Sequence, residues 1–150
     1  MELFKEILVD VRRLIESSPG RDRTLGDICS LLRRKVAHYD WVGFYLVDGG
    51  HSLVLGPYAG TPTEHARIAF GQGICGQAAE RAETFVVQDV SREENYLSCS
   101  VHVKSEIVVP IFKDGAVAGE LDIDSHQLAP FTDKEREYLE QLCGMISNLF

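Results

Sequence analysis

Apolar residues at Leu3, Phe4, Ile7, Leu8, Val11, Leu14 and Ile15 recur at the spacing of one helical face, which predicts an amphipathic helix. Ser17-Ser18-Pro19-Gly20 ends it. Thr24 reads as the N-cap of a second helix, with Asp27 in its first turn and Leu25, Ile28, Leu31, Leu32 and Val36 on its apolar face to about His38. Beyond His38 the helical spacing gives way to short runs of β-branched and aromatic residues. Residues 41–47 and 52–57 flank Asp48-Gly49-Gly50 and predict a hairpin, with 58–63 as loop and 67–70 as a short strand. A glycine-rich turn from Gly71 feeds a short alanine-rich helix to Ala82, and 83–87 reads as a strand. A second hairpin joins 105–112 to 116–125 through Lys113-Asp114-Gly115. Thr132 and Glu135 form a capping box before a closing helix striped by Leu139, Leu142, Cys143, Ile146 and Leu149. Hairpins without βαβ alternation place the chain in the α+β class with a central antiparallel sheet. The apolar stripes of the first and last helices are suited to pack together, within one chain or between two in a homodimer.

The second hairpin also carries chemistry. Glu106 opens its first strand, while Asp122 and Asp124 close its second, so antiparallel pairing brings all three carboxyls to one open end. Asp122 and Asp124 share a strand face, with Leu121 and Ile123 on the other. Acidic residues are poor strand formers, and a clustered pair here either caps the strand end or lines a polar pocket.

A formal charge of −8 with no basic stripe excludes nucleic acid and anionic membranes as main partners. The longest apolar run, 107–112, is too short to span a bilayer, and the charged start is no signal peptide, so a single cytoplasmic domain over 1–150 is expected. Cys29, Cys75, Cys99 and Cys143 form no Cys-x-x-Cys pair and no zinc spacing, and no metal or organic cofactor is expected. Cys29 and Cys143 fall beside or within helical stripes and read as packing. Cys75 starts a helix, where it is either a small core residue or a thiol that the helix terminus shifts towards thiolate. Cys99 lies in a loop near Lys104, the setting of a reactive thiol. Trp41 opens its strand as core or as the wall of a ligand site. The glycines 71, 73 and 76 match a dinucleotide fingerprint only by spacing, without the βαβ context.

Several blocks together resemble the GAF domain family and, within it, the free methionine-(R)-sulfoxide reductases. They are Trp41-Val42-Gly43-Phe44-Tyr45-Leu46, Leu55-Gly56-Pro57-Tyr58, Phe70-Gly71-Gln72-Gly73-Ile74-Cys75-Gly76, Cys99 ahead of Ser105-Glu106-Ile107-Val108-Val109-Pro110, and Leu121-Asp122-Ile123-Asp124-Ser125. The resemblance implies a single GAF-like (PAS-like) domain whose N- and C-terminal helices pack on one face of the sheet. It implies Cys99 as attacking thiol, Cys75 as resolving thiol, and Trp41, Tyr45, Glu106, Asp122 and Asp124 around the substrate, with thioredoxin as reductant. Glu106 is the expected proton donor to the sulfoxide oxygen, and Asp122 and Asp124 the expected partners of a free amino acid's ammonium. The chain departs from the family at His65, where a further cysteine is common, and at Ser100, where the loop around the attacking cysteine has aspartate. A non-catalytic GAF sensor binding a small amine or amino acid in the same acidic pocket is the alternative.

Overall fold

The computed structural model describes residues 2–17, 20–97 and 100–150. Its elements in chain order are α1 (Glu2–Ser17), α2 (Arg21–Lys35), β1 (Trp41–Asp48), β2 (Ser52–Ala59), β3 (Arg67–Ala69), α3 (Gly73–Arg81), β4 (Phe85–Val87), β5 (Ser105–Lys113), β6 (Ala116–Ser125) and α4 (Asp133–Met145). The strands form one six-stranded sheet in the order β3-β2-β1-β6-β5-β4. Every neighbouring pair is antiparallel, as the hairpin signals predict.

Strand alternation divides the interior in two. Val42, Phe44, Ile107, Val109, Ile111, Leu121 and Ile123 point to one face, where α1, α2 and α4 cover them with Phe4, Ile7, Leu25, Ile28, Leu139 and Leu142. The α1 and α4 stripes meet within the chain, with Phe4 stacked on Tyr138 at 5.8 Å between ring centroids. Trp41, Tyr45, Leu53, Val87 and Val108 point to the other face, beneath Ile74, Cys75, Ala78 and Ala79 of α3. The acidic residues of the second hairpin belong to this second layer.

The turn between β5 and β6 places Asp114 at φ 53° and Gly115 at φ 82°. Two consecutive positive φ values define the tight turn whose twist matches the flanking strands, and Asp-Gly is the pair that adopts it most readily. Several boundaries differ from expectation. Helix α2 starts after Gly20 rather than at Thr24, whose hydroxyl instead donates to the Gly20 carbonyl at 2.8 Å. Strand β2 continues through Tyr58 and Ala59, because pairing with Gly43 and Val42 resumes beyond Pro57 after an irregularity in the ladder. The strand expected over 83–87 is confined to Phe85–Val87, since Ala82 turns left-handed and the Glu83 amide donates back to Ala78 to close α3.

The capping box at α4 is half formed. Thr132 Oγ1 accepts from the Glu135 amide at 3.1 Å, but the buried Glu135 carboxylate turns to His38 Nε2 at 2.8 Å. Thr132→Ala is therefore expected to lower stability by about 1 kcal/mol, read from the shift of the urea midpoint at unchanged slope.

Candidate active site

Register within the β5–β6 hairpin sets the site. Glu106 stands directly opposite Asp124, and Val108 opposite Asp122. On the other flank of β6, Asp124, Asp122 and Glu120 stand opposite Trp41, Gly43 and Tyr45 of β1. The expected convergence of Glu106, Asp122 and Asp124 is thus present, and Glu120 extends the same row by one more period of two. All four are buried.

Helix α3 brings Cys75 down onto this row. Its Sγ lies 3.8 Å from Glu106 Oε2, with the thiol as donor. Ligand-type atoms of Cys75, Glu106 and Asp122 all fall within 4.8 Å of one another, a grouping that three elements create and no linear spacing announces. These three residues share a small cavity, of about 10 Å³, with Tyr45, His65, Ile68 and Leu97. A wider surface groove lies elsewhere, between α4 and β5, lined by Val109, Pro110, Phe112 and Cys143 but by none of this acidic row.

Burial dominates the protonation of Glu120, Asp122 and Asp124. Desolvation pushes Glu120, Asp122 and Asp124 above the ordinary carboxyl range. Asp122 raises Glu120 and Asp124 further, while hydrogen bonding from Glu106 and Cys75 partly offsets the effect at Asp122. Glu120, Asp122 Oδ1 and both Asp124 oxygens lack hydrogen-bond partners among the described residues. Unmatched buried acceptors of this kind make a site that favours protons or an incoming cation.

Cys75 takes the first of its two readings, a small residue buried in the core. The start of α3 could favour a thiolate, yet the thiol is pushed well above its ordinary pKa, first by burial and then by Asp122, Glu120, Glu106 and Asp124. A helix terminus offers about half a unit charge of stabilisation, and burial beside the acidic row outweighs it. Cys29 and Cys143 are buried packing residues, with the Cys29 thiol 3.6 Å from the Pro57 carbonyl.

The remaining site residues divide. Tyr45 lines the cavity and its hydroxyl donates to the His65 carbonyl at 2.9 Å. Trp41 lies on the same sheet face in register with Asp124 but does not line the cavity; its indole N–H donates to the Thr61 carbonyl at 3.0 Å and its ring stacks on Tyr58. Cys99 lies outside the described residues. The chain just before it is anchored on α3: Asn95 Oδ1 accepts from the Gly73 amide at 2.8 Å, Asn95 Nδ2 donates to the Gly71 carbonyl at 2.7 Å, and Gln77 donates to the Asn95 carbonyl at 3.0 Å. Leu97 packs so closely over Gly73 that a Cβ there would lie 2.9 Å from its Cγ. Just after it, the Lys104 amide donates to the Ser125 carbonyl at 2.8 Å at the end of β6.

The sequence pattern of the GAF domain family matches residues 20–149. The chain is 31% identical over 148 residues to the free methionine-R-sulfoxide reductase of Escherichia coli, spanning 99% of this chain and 88% of that protein. It is 35% identical to GAF domain-containing protein A of Dictyostelium discoideum, across 98% of this chain and 92% of that one. Among solved structures, the free methionine-R-sulfoxide reductase of Neisseria meningitidis in complex with its substrate superimposes with a TM-score of 0.93 at 36% identity, covering 98% of this chain and 87% of the other.

Proposed function

The chain belongs to the GAF domain family, and from that membership we propose that it reduces free L-methionine-(R)-sulfoxide to methionine. The observation that carries this reading is the buried row of Glu106, Asp122 and Asp124 beside the Cys75 thiol, in which Asp122 Oδ1 and both Asp124 oxygens have no hydrogen-bond partner among the described residues. An amino-acid ammonium supplies hydrogen-bond donors and positive charge there, and a methionine sulfoxide within a peptide has no such group.

In this reaction the Cys99 thiolate attacks the sulfoxide sulfur while its oxygen takes up protons, Glu106 giving the first. Methionine leaves and Cys99 is left as a sulfenic acid. The Cys75 thiol then attacks that sulfur, forming a disulfide and releasing water, and a thioredoxin dithiol reduces the disulfide by exchange. Tyr45 closes one wall of the cavity, and Trp41 backs the sheet beside Asp124. None of these steps draws on a metal or an organic cofactor.

Consumption of NADPH by the purified protein with thioredoxin and thioredoxin reductase tests the reading. Turnover is expected with the free (R)-epimer and not with the free (S)-epimer or with an N-acetylated, amidated derivative. Equal turnover of the free and blocked forms would remove the ammonium from the recognition scheme. Binding of the amino acid without any turnover would favour the sensor reading.

A further inference from the structure

Cys75, Glu106 and Asp122 come from three elements, α3, β5 and β6, and offer one sulfur and two carboxyl oxygens that all lie within 4.8 Å of one another. All three residues are buried. Zinc bonds of about 2.3 Å to sulfur and about 2.0–2.2 Å to oxygen set a sulfur and an oxygen roughly 3.5 Å apart in a tetrahedral shell. Cys75 Sγ lies 3.8 Å from Glu106 Oε2, already close to that spacing.

A second observation points to a cation independently of the grouping. Asp122 is 2% exposed and lines the cavity, and its Oδ1 has no hydrogen-bond partner among the described residues. Asp124, on the same strand face and opposite Glu106, adds two more buried oxygens without partners. Unmatched buried acceptors are costly, and a cation is the partner that relieves a carboxylate most strongly. The cavity itself holds about 10 Å³, the room of one water or one bare ion.

Donor type selects the ion. Carboxylates alone would suit magnesium or calcium, which take six or more oxygen ligands. A thiolate among them selects a softer ion of lower coordination number, and zinc is the one that a mixed sulfur and oxygen set holds. Three protein ligands leave the fourth position to water, as in an open zinc site rather than a closed structural one.

We propose that Cys75, Glu106 and Asp122 bind a zinc ion in the reduced, substrate-free protein. Cys75 gives its proton to solvent as the zinc–sulfur bond forms, and nothing is oxidised or reduced. The ion takes the carboxyls assigned above to proton transfer and to the substrate ammonium, so zinc and the amino acid exclude each other. That exclusion, unlike the metal site, rests on the reading of the chain as a methionine-(R)-sulfoxide reductase. On that reading zinc is an inhibitor and takes no part in the reaction.

The test titrates cobalt(II), whose bond to a thiolate gives a charge-transfer absorption band, into metal-free, reduced protein. One cobalt per chain is expected with that band, and zinc is expected to bleach it by displacement while magnesium does not. Cys99→Ser is expected to keep the band and Cys75→Ser to lose it. Asp122→Asn is expected to weaken cobalt binding by at least about tenfold, since even residues that only orient ligands change metal affinity by about 10–100-fold. Zinc is also expected to raise the melting temperature of the parent but not of Cys75→Ser, and the same melts show that each variant is folded. No band in the parent, a band that survives in Cys75→Ser, or a band lost in Cys99→Ser would overturn the proposal. Methionine is expected to displace cobalt more strongly than an equal concentration of glycine, which chelates the free ion as well. Equal loss of the band with both amino acids would keep the metal site and count against the substrate reading of the pocket.

Discussion

Glu106→Gln is expected to lower kcat for free methionine-(R)-sulfoxide by about 10²–10⁴-fold while changing substrate affinity far less, because a positioned proton donor contributes that much to the chemical step. Glutamine keeps the size and hydrogen-bonding reach of Glu106 opposite Asp124 but cannot give up a proton. Asp122 and Asp124 remain to hold the ammonium, so the loss falls on kcat rather than on KM. Cys99→Ser, by contrast, is expected to remove turnover altogether while leaving calorimetric binding of the sulfoxide intact, since serine cannot take up the oxygen as a sulfenic acid. A Glu106→Gln protein with parental kcat would assign the proton to another group. Binding lost together with turnover in Cys99→Ser would mean that the thiol holds the substrate as well as attacking it.

The second large effect is on stability. Glu120, Asp122 and Asp124 hold their protons to higher pH in the folded chain than in the unfolded one. Their contribution is therefore fully present below the unfolded carboxyl range near pH 4 and is lost as pH rises through the folded values. The ligand-free protein is expected to melt at a lower temperature as pH is raised from about 5 to about 8. The slope is up to about 1.4 kcal/mol per pH unit for each proton that only the folded state retains. Asp122→Asn combined with Glu120→Gln should flatten this profile and stabilise the protein at the alkaline end. Saturating amino-acid ligand should flatten it as well, because the bound ammonium compensates the ionised acids. A flat profile in the parent protein would show that the row is not held protonated.

Much of this site was legible because a hairpin has few ways to form. Asp114-Gly115 placed the turn, and the turn placed Glu106 opposite the end of β6. Glu120 followed from the same alternation, two residues before Asp122, but a sequence reading drawn to the open end of the hairpin passes over an acid nearer its middle. Its burial depends on α3 lying across the sheet, which is a tertiary fact. Cys75 shows the limit of local rules: a helix start left a core thiol and a thiolate both open, and only the packed surroundings decide for the buried thiol. Thr24 failed as a cap because a hydroxyl four residues inside a helix can return its bond to the first carbonyl, here Gly20. The hold of Asn95 on Gly71 and Gly73 spans more than twenty residues and leaves no periodic trace.

The acidic row also bears on how β6 finds its place. Leu121 and Ile123 alternate with Glu120, Asp122 and Asp124 along one strand, facing the helix-covered layer and the site layer respectively. A slip of β6 by a single residue against β5 would exchange the two sets, driving three carboxyls under α1, α2 and α4 and turning two aliphatic side chains towards Cys75. Such a misalignment would gain nothing on either face. The residues that weaken the resting protein at neutral pH thus also forbid its nearest wrong pairing, and a chain with the row neutralised would be steadier once folded but less committed to a single alignment of its central strands.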